Sequence, residues 1–349
     1  MKEMYVNLKR YEVSEKYGGI CPVDEPKQWI REVVHDTVRM GLGRQDEFSL
    51  TIFLPESLLA LGLEALAEEK PEDTGSLRLG CEGVFRDDIQ PGENFGRFTA
   101  NCPASALKAL GCDWVLVGHS EERRDLVSLL DLYAECCGGT LDTRAAGDVS
   151  DMTMNRQLLS ALNRGMSVLF CVGESSEQKG SDDPRIYKPR VKEVLHRQLE
   201  LGLAGAAEVL ERQNLPGQRL SIAYEPIWAV GPGKTPASAD YVSFVSRYIK
   251  DTCAELFGRE YAVIYGGGLT GRVAEEIAGV DTVDGGFVGL TRFTKPYEFD
   301  TAEMKKIRAA ALQRMCSITI WPCLPNRQNR QLRPLKPIKP DCDLRGKGT

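Results

Sequence analysis

Residues 223–236 read AYEPIWAVGPGKTP, and the interpretation of the whole chain depends on this stretch. The apolar run 220–224 ends at a single carboxylate, Glu225, which is followed by a segment of proline, glycine and small apolar residues. A short apolar run bounded by turn residues predicts a buried strand. Three interpretations of the segment after the strand are open: a phosphate-binding ATPase loop, a surface turn without function, or a mobile lid attached to a catalytic base.

Seven further runs of this kind lie outward from the stretch. They are rich in Val, Ile, Leu and aromatic residues and occupy 4–8, 50–54, 77–81, 114–117, 167–172, 262–265 and 287–288. Helical segments separate most of them, at 27–40, 55–69, 105–110, 155–164, 190–212, 239–256 and 272–278, and one at 303–313 follows the last run. Strands that alternate with helices imply a parallel sheet with right-handed crossovers. Roughly 300 residues in eight units predict a closed (β/α)₈ TIM barrel of the α/β class rather than an open sheet.

The barrel is predicted to form a single domain over residues 1–314, followed by a C-terminal extension over 315–349. The extension has five prolines and no helical period, which is typical of disordered chain. It holds seven Lys or Arg and two Asp, a net charge of +5, so the rest of the chain carries −11 within a total of −6. This basic extension is interpreted as dispensable, or alternatively as a segment that docks an acidic partner.

The composition narrows the class of protein. With 42% hydrophobic and 27% charged residues, the chain is typical of soluble globular proteins, and its acidic body argues against nucleic acid as a partner. No apolar stretch approaches the ~20 residues of a membrane helix, and the first residues do not form a signal-peptide core. The eleven cysteines form no CxxC pair, which favours reduced thiols. We therefore expect a cytoplasmic protein without a membrane partner.

Two glycine motifs can be tested by counting. A Walker A loop ending at GPGKT requires a glycine at position 228, where the sequence has Trp228, so the ATPase interpretation fails. The sequence GGGLTG at 266–271 satisfies G-x-G-x-x-G, but it follows the seventh run and no acidic residue ends the next strand. Backbone amides at the start of a helix suit a phosphate group better than a dinucleotide here.

Polar residues follow several of the predicted strands. Asn7 and Lys9 follow the first, Glu82 the third, His119 the fourth and Glu225 the sixth, while glycines follow the seventh and end the eighth. Catalytic residues of a (β/α)₈ barrel lie at the carboxyl ends of its strands, so all of these are expected to meet at one mouth.

Three of these groups suit one reaction. Glu225 would act as a base whose pKa rises when water is excluded, and Lys9 would stabilise a developing oxyanion. If Ser120 caps a helix, the helix N-terminus keeps His119 neutral as a hydrogen-bond donor. Together they fit enolisation and aldose–ketose isomerisation of a small phosphorylated sugar. Each residue alone also fits a structural role, as a cap, a hydrogen-bonded core histidine or a surface lysine, and their shared location favours catalysis.

Several stretches resemble the triosephosphate isomerase family in order and spacing. They are AYEPIWAVGPGKTP, VLVGHSEERR, FCVGE, IYGGGLTG and VDGGFVG, with weaker matches at VNLKR and GRFT, and the resemblance covers about residues 4–311. It implies that Glu225 shuttles a proton, that His119 is a neutral electrophile and that Lys9 stabilises charge. It also implies no metal or organic cofactor, a homodimer formed through the third loop, and a set of substrate-binding residues: Asn7, Glu121, Gly231, Gly268 and Gly289.

The sequence departs from the family pattern around the predicted site. The departures are Leu8, Arg10, Gly268 in place of a serine, Leu290 in place of a glycine, an extra Glu122, and long segments at 11–24 and 125–155. The residues predicted to catalyse the reaction are retained, but these departures leave the identity of the substrate undetermined. The leading hypothesis is interconversion of dihydroxyacetone phosphate and D-glyceraldehyde 3-phosphate. The alternatives are the same reaction on a tetrulose phosphate, and a non-catalytic barrel that binds a sugar phosphate.

Overall fold

The structure is a computed structural model that describes residues 2–44, 48–231, 233–292 and 298–318. Eight parallel strands form a closed barrel in which each strand pairs with the next and the last pairs with the first. The predicted (β/α)₈ TIM barrel is therefore confirmed. The strands are β1 (Lys2–Asn7), β2 (Phe48–Leu54), β3 (Leu77–Cys81), β4 (Trp114–Val117), β5 (Ser167–Val172), β6 (Leu220–Tyr224), β7 (Ala262–Tyr265) and β8 (Gly285–Val288).

Helices occupy the connections between the strands. They are α1 (Pro26–Arg39), α2 (Glu56–Ala67), α3 (Pro71–Thr74), α4 (Ala104–Ala109), α5 (Ser120–Cys136), α6 (Thr143–Asn163), α7 (Ser176–Lys179), α8 (Pro184–Gly202), α9 (Ala206–Gln213), α10 (Ala239–Phe257), α11 (Gly271–Ile277) and α12 (Thr301–Ile318). Two single-turn 3₁₀ helices cover Glu15–Tyr17 and Ile227–Ala229.

Some element boundaries differ from the prediction for physical reasons. β8 begins at Gly285, before the apolar run. The apolar pattern missed this start because the position is a glycine: the strand passes so close to β1 that a Cβ there would lie 2.0 Å from the Glu3 carbonyl oxygen. The helix expected over 190–212 is two helices, since Gly205 adopts a left-handed conformation with φ 77° between them. The long segment 125–155 is mostly helical, because α5 and α6 occupy nearly all of it.

The strands separate two hydrophobic layers because successive side chains point to opposite faces. Outward-facing residues pack under the helices, as Val6, Ile52 and Ile222 do. A second cluster fills the barrel interior and consists of Tyr5, Phe53, Trp114, Leu116, Leu169, Cys171, Ala223, Ile264 and Phe287. The barrel interior is thus filled with side chains.

The last described helix, α12, extends to Ile318, so it continues four residues past the predicted domain boundary. The prediction of a disordered extension otherwise concerns residues 319–349, which lie outside the described residues. Among the helices of the described ranges, none combines the length and the apolar composition that crossing a membrane requires.

Candidate functional site

Glu225 follows β6 directly and lies at the carboxyl end of the barrel. Its backbone N–H donates to the Val172 carbonyl oxygen at 2.8 Å, which continues the pairing of β6 with β5. The residue is only 4% exposed. Gly266, directly after β7, passes so close that an added Cβ would lie 3.2 Å from Glu225 Cγ. The carboxylate is therefore held in a confined space that the neighbouring strand defines.

His119 faces Glu225 across the mouth. Its Nε2 lies 3.3 Å from Glu225 Oε1, and its ring packs edge-on against Phe287. His119 itself caps α5: its Nδ1 accepts a hydrogen bond from the Glu121 backbone N–H at 3.4 Å. The expectation that Ser120 caps this helix is therefore wrong, because the ring one residue earlier reaches the free amide. In the neutral ring this leaves the proton on Nε2, directed at Glu225.

The two groups shift each other's ionisation. Burial raises the pKa of Glu225. His119, the Cys171 thiol and Lys9 together lower it by a larger amount, so the pKa lies below its ordinary value. Burial lowers the pKa of His119. The Glu225 carboxylate raises it by a larger amount, so the pKa of His119 lies above its ordinary value. The expected rise in the pKa of Glu225 is thus absent from the free protein, because His119 lies against it. A molecule that separates the pair would remove the lowering of the Glu225 pKa by His119.

Lys9 lies beside the pair at the end of the first strand. Its Nζ forms a 2.7 Å ion pair with Glu121 Oε1, and Glu121 Oε2 lies 3.9 Å from His119 Nδ1. Its backbone has φ 50°, in the left-handed region, and its N–H donates to the Asn7 side-chain oxygen at 3.0 Å. Non-glycine residues in this region are held there by their surroundings and are common in active sites. The structure therefore brings Asn7, Lys9, His119, Glu121 and Glu225 together at one mouth.

Two of the three predicted phosphate-binding glycines, Gly268 and Gly289, have neighbours that place them beside the mouth. A Cβ at Gly289 would lie 3.8 Å from Lys9 Cε, and one at Gly268 would lie 3.6 Å from the Ala229 carbonyl oxygen. Gly231, on the loop after Glu225, has φ 112°, and Gly268 has φ 67°. Among the described non-glycine residues, only Lys9, Phe95 and Asn214 have positive φ, so Leu290, which stands where the family has a glycine, does not adopt the left-handed conformation.

Glu174 belongs to the FCVGE motif, but the motif did not indicate a role for it. Glu174 is fully buried after β5 and accepts hydrogen bonds from Tyr224, Tyr241 and the Trp228 indole, the last at 2.7 Å. Burial raises its pKa, against the three donors. This carboxylate therefore anchors the segment that follows Glu225. The signal available in the sequence was an acidic residue shortly after a predicted strand.

Arg123 ties the end of β4 to its neighbours and was likewise given no role. It donates to the Gly118 carbonyl at 2.8 Å and to the Cys171 carbonyl at 3.0 Å, and it pairs with buried Asp151 of α6. Glu122, interpreted as an extra residue, accepts from the Gly118 N–H at 3.3 Å. These contacts hold the turn that presents His119.

A cavity of about 460 Å³ adjoins the mouth. Its lining includes Asn7, Lys9, His119, Glu82 and Gln157. Glu82 Oε1 and Gln157 Oε1 are buried and have no hydrogen-bond partner within the described ranges. Burial raises the pKa of Glu82 to about 8, although Arg10 opposes the shift. In the part of the chain that the structure describes, no group of three or more His, Cys, Asp or Glu could hold a metal ion.

Comparison with known proteins gives consistent matches. The family model described as triosephosphate isomerase matches residues 83–299. The triosephosphate isomerase of Chlorobium luteolum is 32% identical over 201 residues, which cover 56% of this chain and 66% of that protein. The one of Clostridium novyi is 29% identical over 233 residues, which cover 66% of this chain and 76% of that protein. The chain thus spans just under two thirds of the length of the first of these relatives.

A solved structure extends the comparison to the fold. The crystal structure of triosephosphate isomerase from Bartonella henselae matches with a TM-score of 0.58 and 23% identity. The match covers 88% of this chain and 98% of that chain. At this level of identity, the likeness shows a shared fold.

Proposed function

Since the chain belongs to the triosephosphate isomerase family, we propose that it is a triose-phosphate isomerase. Its substrates would be dihydroxyacetone phosphate and D-glyceraldehyde 3-phosphate. The observation that carries the proposal is the 3.3 Å approach of Glu225 Oε1 and His119 Nε2, with the Lys9 ammonium beside them. A base, a hydrogen-bond donor and a fixed positive charge at one mouth are the groups that enolisation requires.

In the proposed reaction, substrate enters between Glu225 and His119. The Glu225 carboxylate removes a proton from the carbon beside the carbonyl, while His119 Nε2–H donates a hydrogen bond to the carbonyl oxygen. Lys9 stabilises the negative charge of the enediolate. The proton of the neighbouring hydroxyl group then passes through His119 Nε2 to the former carbonyl oxygen. Protonated Glu225 returns its proton to the carbon that carried the carbonyl, so the carbonyl moves by one position and no atom is gained or lost.

Separation of the pair would also prepare the base. While His119 touches Glu225, the pKa of the carboxylate lies below its ordinary value. Once substrate lies between them, burial dominates, and burial raises the pKa of a carboxylate. Substrate binding would thus turn a weak base into a stronger one at the step that needs it.

The glycines supply the proposed phosphate site. Gly231, Gly268 and Gly289 would direct backbone amides to the phosphate, since glycine lets the chain approach an anion closely. The loop that begins at Glu225 lies against Gly268, because a Cβ added to Gly268 would lie 3.6 Å from the Ala229 carbonyl oxygen. Its closure would shield Glu225 from water and the enediolate from loss of phosphate.

The cavity next to the mouth supports a second candidate, isomerisation of a tetrulose phosphate. A tetrulose carries one more hydroxyl-bearing carbon than a triose, and hydroxyl groups are donors. Glu82 Oε1 and Gln157 Oε1 are buried acceptors on the cavity wall, without partners in the described ranges. They would accept hydrogen bonds from the additional hydroxyl group. A non-catalytic sugar-phosphate binder is less well supported, because binding alone does not require a base.

Coupled assays of the purified full chain test these candidates. The substrates are dihydroxyacetone phosphate, D-glyceraldehyde 3-phosphate, and tetrulose and pentulose phosphates. The leading proposal expects kcat/KM to be highest for the triose phosphates. Turnover of a four-carbon substrate alone would replace it with the second candidate. Binding of these phosphates without turnover of any would establish the non-catalytic alternative.

A homodimer and a cytoplasmic location are also part of the proposal. The third loop, 86–101, is largely exposed, with Phe95 79% exposed at its tip, which suits contact with a second copy. Light scattering after size exclusion would report a mass of two chains. The described cysteines are free, as a reducing compartment would keep them. Fluorescence microscopy of the tagged full chain would test the location.

A further inference from the structure

Lys179, at the end of α7, is a buried lysine surrounded by aromatic rings. Only 11% of its side chain is exposed. Its Nζ lies 3.8 Å from the centroid of the Trp228 ring, 5.6 Å from that of Tyr241 and 5.9 Å from that of Tyr187. The face of an aromatic ring attracts a cation, most strongly for tryptophan, and the attraction grows when water is excluded. The ammonium is therefore held mainly on the indole of Trp228.

The same indole is held at its edge by a carboxylate. Trp228 Nε1 donates to Glu174 Oε1 at 2.7 Å, and Tyr241 donates to the same oxygen at 2.7 Å. Donation of the indole N–H to an anion polarises the ring and increases the negative charge on its face. The two contacts therefore strengthen each other: Lys179 and Glu174 hold the indole from its face and its edge.

The held indole lies three residues after Glu225 along the chain. It belongs to the single-turn helix Ile227–Ala229, whose first N–H donates to the Glu174 carbonyl oxygen at 3.2 Å. The Glu225 N–H is fixed at the other end by the Val172 carbonyl oxygen at 2.8 Å. Only Pro226 separates these two hydrogen-bonded points, and Trp228 directly follows the second, so the position of the indole bears on the backbone that leaves Glu225.

We propose that Lys179 is a positioning residue that, through the face of Trp228, holds the backbone next to Glu225 in place. The inference rests on the proposed function, because it gives Lys179 a part in presenting the base. Lys179 does not touch the reacting groups itself. Its ion-pair partner Asp182 is 96% exposed, and exposed ion pairs contribute little, so the rings and not Asp182 hold the ammonium.

Hydrogen–deuterium exchange of the full chain tests the inference without substrate. The amides to follow are those of Ile227 and Ala229, which are hydrogen-bonded in the structure. Lys179→Met keeps the length of the side chain and removes the cation. In this variant, exchange of the Ile227 and Ala229 amides should accelerate by about tenfold, the size of effect that a desolvated cation–π contact provides. Amides of β5 serve as the internal reference and should not change.

Three control variants separate the cation–π contact from other effects. Lys179→Arg keeps a cation over the ring, and Asp182→Asn keeps the rings and removes the ion pair. Lys188→Met removes a lysine that lies 5.0 Å from the Phe244 ring and has no contact with Trp228 among those described. Each should exchange within about threefold of the wild type, since each leaves the contact with Trp228 in place.

Three results would overturn the inference: unchanged exchange in Lys179→Met, an equal acceleration in Lys179→Arg, or an acceleration that extends to β5. The third would mean general destabilisation. None of these results bears on isomerase activity, which the wild-type assay tests separately. Accelerated exchange in Lys179→Met, together with a wild type that has no isomerase activity, would support the role of Lys179 in holding Trp228 and would reject the proposed function.

Discussion

Glu225 Oε1 lies 3.3 Å from His119 Nε2, although the two residues follow different strands, β6 and β4. Each group lies inside the other's electrostatic field, and each shifts the other's pKa. The free site is therefore a coupled pair that holds its proton jointly.

The first prediction concerns the base. Glu225→Gln keeps the shape of the side chain but cannot accept a proton from carbon. We expect kcat for the preferred substrate to fall by at least ~10²-fold, as general-base catalysis implies. Steady-state kinetics measure this, with Glu211→Gln, at the opposite end of the barrel, as the control. Full activity of Glu225→Gln would refute the proposed mechanism.

The second prediction concerns pH. The reaction needs ionised Glu225 and neutral His119, and both states form as pH rises. Because Glu225 raises the pKa of His119, we expect kcat/KM to increase with pH with a midpoint above the ordinary histidine value of about 6.5. Lys9 lowers that pKa, so Lys9→Met should move the midpoint to still higher pH. A profile whose midpoint does not respond to Lys9→Met would contradict this coupling.

The third prediction concerns Glu82 and stability. Burial raises the pKa of Glu82 from 4.5 to about 8, so between these values the folded protein binds more protons than the unfolded chain. Stability is then greatest below pH 4.5 with respect to this group and is lost as pH rises towards 8. Glu82→Gln removes the titration and should increase the free energy of unfolding by about 1–3 kcal/mol at pH 8.5, with little change at pH 5.

Urea denaturation of wild type and Glu82→Gln at both pH values measures this effect. Glu56→Gln, in an exposed position on the same cavity, is the matched control and should leave stability unchanged at either pH. An equal effect of Glu82→Gln at pH 5 and pH 8.5 would show that packing, and not ionisation, is responsible.

The fourth prediction concerns Arg123. Its removal leaves Asp151, which is 4% exposed, as a buried carboxylate without its cation. We expect Arg123→Met to lower the free energy of unfolding by about 3–5 kcal/mol. The neighbouring Arg124 is exposed, so Arg124→Met should change it by no more than about 0.5 kcal/mol. Denaturation curves measure both, and similar values for the two variants would contradict the role of Arg123.

The sequence was sufficient for the fold. Short apolar runs alternating with helical segments predicted eight parallel strands and a closed barrel, and the boundaries missed were local, as at the glycines that begin β8. Strand and helix periods are properties of neighbouring residues, so one chain reveals them. The same reasoning placed Asn7, Lys9, His119 and Glu225 at one mouth, because the carboxyl ends of parallel strands point the same way.

The tertiary structure alone decided how these groups interact. That His119 caps α5 and lowers the pKa of Glu225 depends on distances between side chains of different strands. The contacts of Glu174 reach Tyr241, 67 residues away, and with Trp228 they form a buried cluster that no local pattern indicates. Ionisation and burial depend on which atoms meet in space. The sequence therefore determined which residues reach the mouth, and the packing between elements determined their charge states and partners.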